Sequence, residues 1–167
     1  MKHKYLYVVA AGQADEHQPV MNELKRSLST TGVQQVLSLL EFLKEHPIHK
    51  PDLILCSPCL YVCQTMDLLH EVLAGIDVVC KDTLYSAPDY RILETINNLD
   101  DILSSVMIVG ELPGLKQFLG YVDRLSDQKK LKPGQMVTLV LNPDVSWHDF
   151  GCAKNKVHSP RRIIKLF

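Results

Sequence analysis

Apolar positions in this chain follow two rhythms that alternate along its length. Short unbroken runs of β-formers come first: Tyr5 to Ala10 (YLYVVA), Leu53 to Cys56 (LILC), Ile76 to Val79 (IDVV), Val106 to Val109 (VMIV) and Met136 to Leu141 (MVTLVL). Runs of this kind predict strands, and where they show no alternation they predict strands covered on both faces of a sheet. Ile163 to Phe167 is a candidate sixth strand. Between the runs the apolar residues recur every three or four positions. Val33, Val36, Leu37, Leu40 and Leu43 form one helical face, which His46-Pro47 ends. Cys59, Val62, Met66, Leu69 and Leu73 form a second. Ile92, Ile96, Leu99 and Leu103 mark a third helix over 90–104, and Leu115, Phe118, Leu119 and Val122 a fourth.

Three local signals refine these helices. Thr31-x-x-Gln34 reads as a capping box at the start of the first. Ser57-Pro58 reads as an N-cap followed by proline at the first helical position of the second, and Pro113 suits the same place in the fourth. The polar stretch Gly12 to Ser29 reads as a loop with at most a helical turn. Strands alternating with helices predict a three-layer α/β/α sandwich on a mostly parallel sheet. The last two strands lack a helix between them, so one edge is expected to be antiparallel. Without repeats, low-complexity tracts or linkers, residues 1–167 are expected to form a single domain.

Composition narrows the function classes. The formal net charge of the 167 residues is -1, which gives no electrostatic signature for nucleic acid. No apolar run approaches the ~20 residues that span a membrane. The apolar run after Lys2 and Lys4 is short and leads into polar residues, so it reads as a strand rather than a signal peptide. Five cysteines, an odd number, suit free thiols in a reducing compartment better than a disulfide scaffold, and a cytoplasmic location is the expectation.

Ligands of open α/β sheets bind beyond the carboxyl ends of the strands, which directs attention to Ala10–Ala14, Ser57–Thr65 and Gly110–Leu115. These segments read VVAAGQA, CSPCLYVCQT and VGELPGL, and an Arg26-Ser27-Leu28-Ser29-Thr30-Thr31-Gly32 stretch lies between the first two. In this order and at this spacing the four segments resemble the motifs of the histidine phosphatase superfamily, in particular its small SixA-type phosphohistidine phosphatases. That family carries Arg-His-Gly after the first strand, Arg-Pro-Leu-Thr-x-x-Gly in the following loop, Ser-Pro-x-x-Arg-x-x-Gln-Thr after the second strand and Gly-His-x-Pro after a later one. The resemblance extends from about Tyr5 to about Leu141 and implies a phosphoglycerate-mutase-like fold.

The resemblance fails at the reactive positions. In the family one histidine carries the phosphoryl group, while two arginines and a second histidine neutralise phosphate. Those four positions are occupied here by Ala10, Ala11, Tyr61 and Glu111. Gly12, Ser57, Pro58, Gln64, Thr65, Gly110 and Pro113, which belong to the scaffold, match. Alanine has no lone pair to offer phosphorus, and phosphoryl transfer depends on positioning and charge neutralisation. The expectation is therefore a catalytically inactive SixA-like homologue. Its remodelled pocket, formed from Gly12, Arg26, Ser57, Tyr61 and Glu111, would take an unknown protein or small-molecule ligand, with no nucleic acid, membrane, cofactor or metal implied. The alternatives are an active phosphohydrolase using Glu111, His17 and Arg26, and a domain that serves only assembly.

Other features have plainer readings. Cys56-x-x-Cys59-x-x-x-Cys63 has the look of half a zinc site needing His70 or Cys80 as a fourth ligand, but small buried core residues explain it as well. Glu111, Asp15 and His17 could form a new acidic site, against the simpler reading of a carboxylate at a helix start. His3, His46, His49, His70, His148 and His158 are scattered. Lys129-Lys130-Lys132 and Arg161-Arg162-Lys165 read as solvated charge, and Trp147 as a packing residue.

Overall fold

The structure, a computed structural model, describes residues 3–17, 22–122 and 131–151 in full and the backbone of 164–166. Six strands form one sheet: β1 (Lys4–Ala10), β2 (Leu53–Cys56), β3 (Asp77–Cys80), β4 (Ser105–Gly110), β5 (Met136–Leu141) and β6 (Ile164–Leu166). Their order is β3-β2-β4-β1-β5-β6. The first four in that order run parallel, while β5 pairs antiparallel with β1 and β6 antiparallel with β5. The antiparallel edge expected from the missing crossover helix is therefore two strands wide.

The unbroken apolar runs are explained by burial on both faces. Leu6, Val8, Ala10, Leu55, Val106 and Ile108 point to one core, while Tyr7, Val9, Ile54, Cys56, Met107 and Val109 point to the other. Helices α1 (Thr30–Glu45) and α2 (Leu60–Leu73) close the second core, with Val36, Leu40, Leu43, Val62, Met66, Leu69 and Leu73 inward. Helices α3 (Asp89–Asn97) and α4 (Gly114–Val122) close the first with Ile92, Ile96, Leu115, Phe118 and Leu119. Each such side chain contributes roughly 1.5–3 kcal/mol on full burial. The edge strand β3 differs: all four of its residues are exposed. Two short 3-10 turns, Glu23–Lys25 and Asp82–Leu84, precede α1 and α3.

Helix starts depart from the local signals. The cap of α1 is Ser29, whose Oγ accepts from Gly32 N at 2.9 Å and donates to Gln13 O at 3.0 Å, so Thr31-x-x-Gln34 is not a capping box. Ser29 wins because it can tie the loop after β1 to the helix as well as cap it. At α2 the cap is Cys59 and the helix begins at Leu60; the Ser57 oxygen accepts from Cys59 N at 3.5 Å, and its hydroxyl donates to a carboxylate described below. Helix α4 begins after Pro113, whose carbonyl accepts from Gln117 N. Helix α3 ends at Asn97, well short of Ser104; Asn98 closes it by donating back to Glu94 O through its side chain.

Trp147 is buried, donates through Nε1 to Leu103 O at 2.7 Å and packs near Phe150. Among the described residues no helix is long and apolar enough to cross a membrane. Of the basic clusters, Lys129, Lys130, Arg161 and Arg162 lie outside the described residues, as does His158; Lys132 is exposed.

Candidate functional site

Because β1, β2 and β4 are parallel neighbours, the residues that follow them meet at one edge of the sheet. Ala10 and Ala11 close β1, Ser57 and Tyr61 follow β2, and Glu111 follows β4. The parallel strand order therefore delivers three distant segments to one place.

Glu111 is the centre of that place. Its Oε1 accepts from the Ser57 hydroxyl at 2.7 Å and from the Ser86 backbone N–H at 2.9 Å, and its Oε2 from the Tyr61 hydroxyl at 3.2 Å. Hydrogen bonds to an ionised acceptor are about twice as strong as neutral ones; the Ser57 proton goes to Glu111, while its oxygen accepts from Cys59 N at 3.5 Å. None of the three donors carries a charge. Burial first, and then the Glu111 charge, push the Tyr61 phenol well above the usual tyrosine range. The Cys59 thiol is pushed up to about 12 by burial and secondarily by Glu111.

Ala10 and Ala11 are 0% and 5% exposed and face opposite cores. Their backbone is pinned: Ala10 N donates to Gln135 O, Ala11 N donates to Gly110 O, and Gly134 N donates to both alanine carbonyls. Gly134 sits at φ +72 with Gln35 close enough that a Cβ would lie 2.6 Å from it, so glycine alone fits there. Gly12 is equally confined, since a Cβ would approach Gly32 O to 2.5 Å.

The scaffold residues have identifiable tasks. Gln64 Oε1 accepts from Leu28 N at 2.7 Å, and Thr65 Oγ1 accepts from Gly12 N at 3.2 Å while donating to Tyr61 O at 2.8 Å. Together they fasten α2 to the loops that follow β1 and precede α1.

A cavity of about 400 Å³ opens at this edge, lined by Ala14, Glu16, Glu23, Arg26, Tyr61, Tyr85, Ser86 and Glu111. Of the residues expected to form a remodelled pocket, Arg26, Tyr61 and Glu111 line it, whereas Ser57 stands behind Glu111 as its donor and Gly12 packs beneath α1. Tyr61 thus forms part of the wall and leaves the space open. Arg26 is already engaged: its Nε and Nη2 fork onto Glu23 at 2.8 and 2.6 Å, and its Nη1 donates to Asp15 O at 2.7 Å. The Glu23 hydrogen bond raises the guanidinium pKa further. Three carboxylates face one neutralised guanidinium across the lining. His17 is exposed and, like Asp15, is not among the lining residues, so the trio Glu111, His17 and Arg26 does not converge on this cavity.

Sequence reasoning missed Glu16, Tyr85 and Ser86. Ser86 adopts φ 47, a left-handed conformation that costs a non-glycine residue roughly 1–2 kcal/mol, and that turn aims its N–H at Glu111. The cysteines also sort differently from a metal half-site. Cys56 Sγ lies 3.0 Å from Cys80 Sγ, while Cys59 is a separate buried residue beside Ser57 and Glu111. Among the described residues no group of three or more His, Cys, Asp or Glu is arranged to hold a metal ion.

No protein-family model matches the sequence, and no curated protein sequence matches it. Solved structures do resemble it. A protein assigned as a SixA phosphohistidine phosphatase from Nakamurella multipartitia superposes with a TM-score of 0.75 at 19% identity, covering 90% of this chain and 91% of that one. Another assigned likewise, from Agrobacterium tumefaciens, gives 0.74 at 21% identity over 86% of this chain and 100% of its own. The protein histidine phosphatase SixA complexed with tungstate gives 0.71 at 15% identity over 83% and 89%. The chain therefore has the three-layer, phosphoglycerate-mutase-like fold of the SixA-type histidine phosphatases.

Proposed function

We propose that this chain is a non-catalytic homologue of the SixA phosphohistidine phosphatases that binds a partner or small ligand through the cavity around Glu111. The observation that carries this reading is the Glu111 carboxylate itself, held by three uncharged donors on the cavity wall, with alanines at the end of β1. Ala11 has no electron pair with which to attack phosphorus. Removing two arginines removes the bidentate forks that suit phosphate, and the one arginine on the wall is spent on Glu23. A phosphate oxygen ~4 Å from Glu111 at an effective dielectric near 20 would cost about 4 kcal/mol. The lining therefore suits a neutral or cationic group on a protein segment or small molecule, and disfavours the substrate class that the fold's relatives are named for.

The test is hydrolysis of phosphohistidine and of a generic phosphoester by the purified protein beside its Glu111→Gln variant. The expected outcome is no turnover above the variant. Saturable turnover that the variant abolishes would overturn the proposal and make Glu111 part of a new catalytic apparatus.

A further inference from the structure

The carboxyl end of β2 and the edge strand β3 each carry a cysteine at the same register position. Cys56 and Cys80 are direct partners in the parallel ladder, so their side chains leave the same face of the sheet. The Cys56 Sγ atom lies 3.0 Å from that of Cys80, about 1 Å beyond a covalent S–S bond of ~2.05 Å. Paired neighbours in a ladder also lie within the Cα separation that a disulfide spans. The two thiols differ in access: Cys56 is buried and Cys80 exposed. Packing accounts for Cys56, but it does not account for a cysteine on a strand whose residues are all exposed.

We propose that Cys56 and Cys80 form a reversible oxidation site for small disulfide oxidants of the glutathione type. The Cys80 thiolate attacks the oxidant's disulfide, forming a mixed disulfide and releasing one glutathione thiolate. The Cys56 thiolate then attacks Cys80 Sγ, closes the Cys56–Cys80 bond and expels the second. Two protein thiols lose two electrons to one oxidant molecule, which leaves as two thiols after taking up the two protons. Burial holds the Cys56 thiol above its ordinary range and so limits its thiolate fraction; in the second step the 3.0 Å approach to Cys80 Sγ offsets that handicap. Cys63, on α2, is raised by burial and also meets Cys80, so it is the competing resolving thiol.

The bond would fasten the exposed edge strand β3 to its neighbour β2. It would also tie together two segments that serve Glu111: Ser57 follows Cys56 directly, and the chain from Cys80 reaches Tyr85 and Ser86 through the turn at Asp82–Leu84.

Incubating the full chain with oxidised glutathione, followed by peptide mapping, tests it. The expected result is loss of two titratable thiols, a Cys56–Cys80 linked peptide reversed by dithiothreitol, and β3 amides exchanging at least ~10-fold more slowly. Cys63→Ser should leave the linkage intact, and Cys80→Ser should abolish it. Glutathione retained on Cys80, a dominant Cys63–Cys80 linkage, or unmodified thiols would each overturn the proposal, and all three are read on the unmutated chain.

Discussion

Two carboxylates at opposite ends of the sheet each collect three hydrogen bonds, and the contrast between them separates a stability device from a binding site. Asp101, just before β4, accepts from Lys4 Nζ, Ser146 Oγ and Trp147 N. Lys4 is itself buried at the start of β1 and stands over the Trp147 ring at 5.3 Å. The cluster is closed: charge meets charge, and it joins the loop carrying Trp147 to the sheet. Glu111, at the other end, accepts among the described residues from Ser57, Tyr61 and the Ser86 backbone, and it faces a cavity. Its geometry is satisfied, while no cation among the described residues pairs with its charge. A paired carboxylate contributes to folding, whereas one ordered by neutral donors beside an open space retains its field for whatever enters.

The contrast can be broken most forcefully at the Glu111 end. Glu111→Gln should raise affinity for a tungstate or phosphate oxoanion by up to about 4 kcal/mol, the full like-charge cost at ~4 Å, as measured by calorimetry. An unchanged affinity would mean that anions are excluded for reasons other than the Glu111 field.

Stability should respond the other way round. Asp101→Asn keeps one oxygen, on which Trp147 N can remain, but removes the ion pair to Lys4 and the second oxygen, which accepts from Ser146 Oγ. With the Asp101 side chain half exposed, solvent screening limits the loss to about 1 kcal/mol in urea unfolding. Glu111→Gln should stay within about 0.5 kcal/mol of the parent, since the amide oxygen still accepts. Equal losses at both ends would erase the distinction.

The two ends should also differ in acid. Lys4 first, then Ser146 and Trp147, hold the Asp101 carboxyl well below the usual carboxylate range. A depressed folded-state value stabilises above the unfolded value of ~4, and the contribution is lost as pH falls through the folded value. Unfolding free energy measured from pH 5 downward should therefore fall less steeply in Asp101→Asn than in the parent. An effect of opposite sign is expected at Ser86, where Ser86→Gly should relieve the left-handed strain and stabilise by about 0.5–1 kcal/mol in the same urea assay. A loss there would mean that the serine side chain supports the turn.

Much of the fold was legible because periodicity is local. The unbroken runs at Tyr5, Leu53 and Val106 became strands covered on both faces, and the three- and four-residue spacing at Val62, Met66 and Leu69 became a buried helix face. Motif spacing also pointed to the sheet edge at which Tyr61 and Glu111 meet. Capping was not legible in the same way. Ser57 carries a good cap sequence, yet it also donates to a carboxylate 54 residues away, and no local rule registers that partner. Tyr85 and Ser86 carried no signal, because their part in the site comes from a turn brought in by α3 and its preceding loop.

The sequence by itself determined the alternation of strands and helices, the two apolar faces of the sheet, and the identities of Ala10, Ala11 and Tyr61, at positions where the resemblance implies arginine and a nucleophile. These follow from the identity and spacing of residues within a few turns of one another. Only the tertiary structure decided that Arg26 is spent on Glu23, that Glu111 is gripped by Ser57, Tyr61 and Ser86, and that Cys80 lies beside Cys56. Each of these is a choice among several partners of similar chemistry. Such a choice is settled by which segments the parallel strand order brings within hydrogen-bond reach, a distance that sequence separation does not encode.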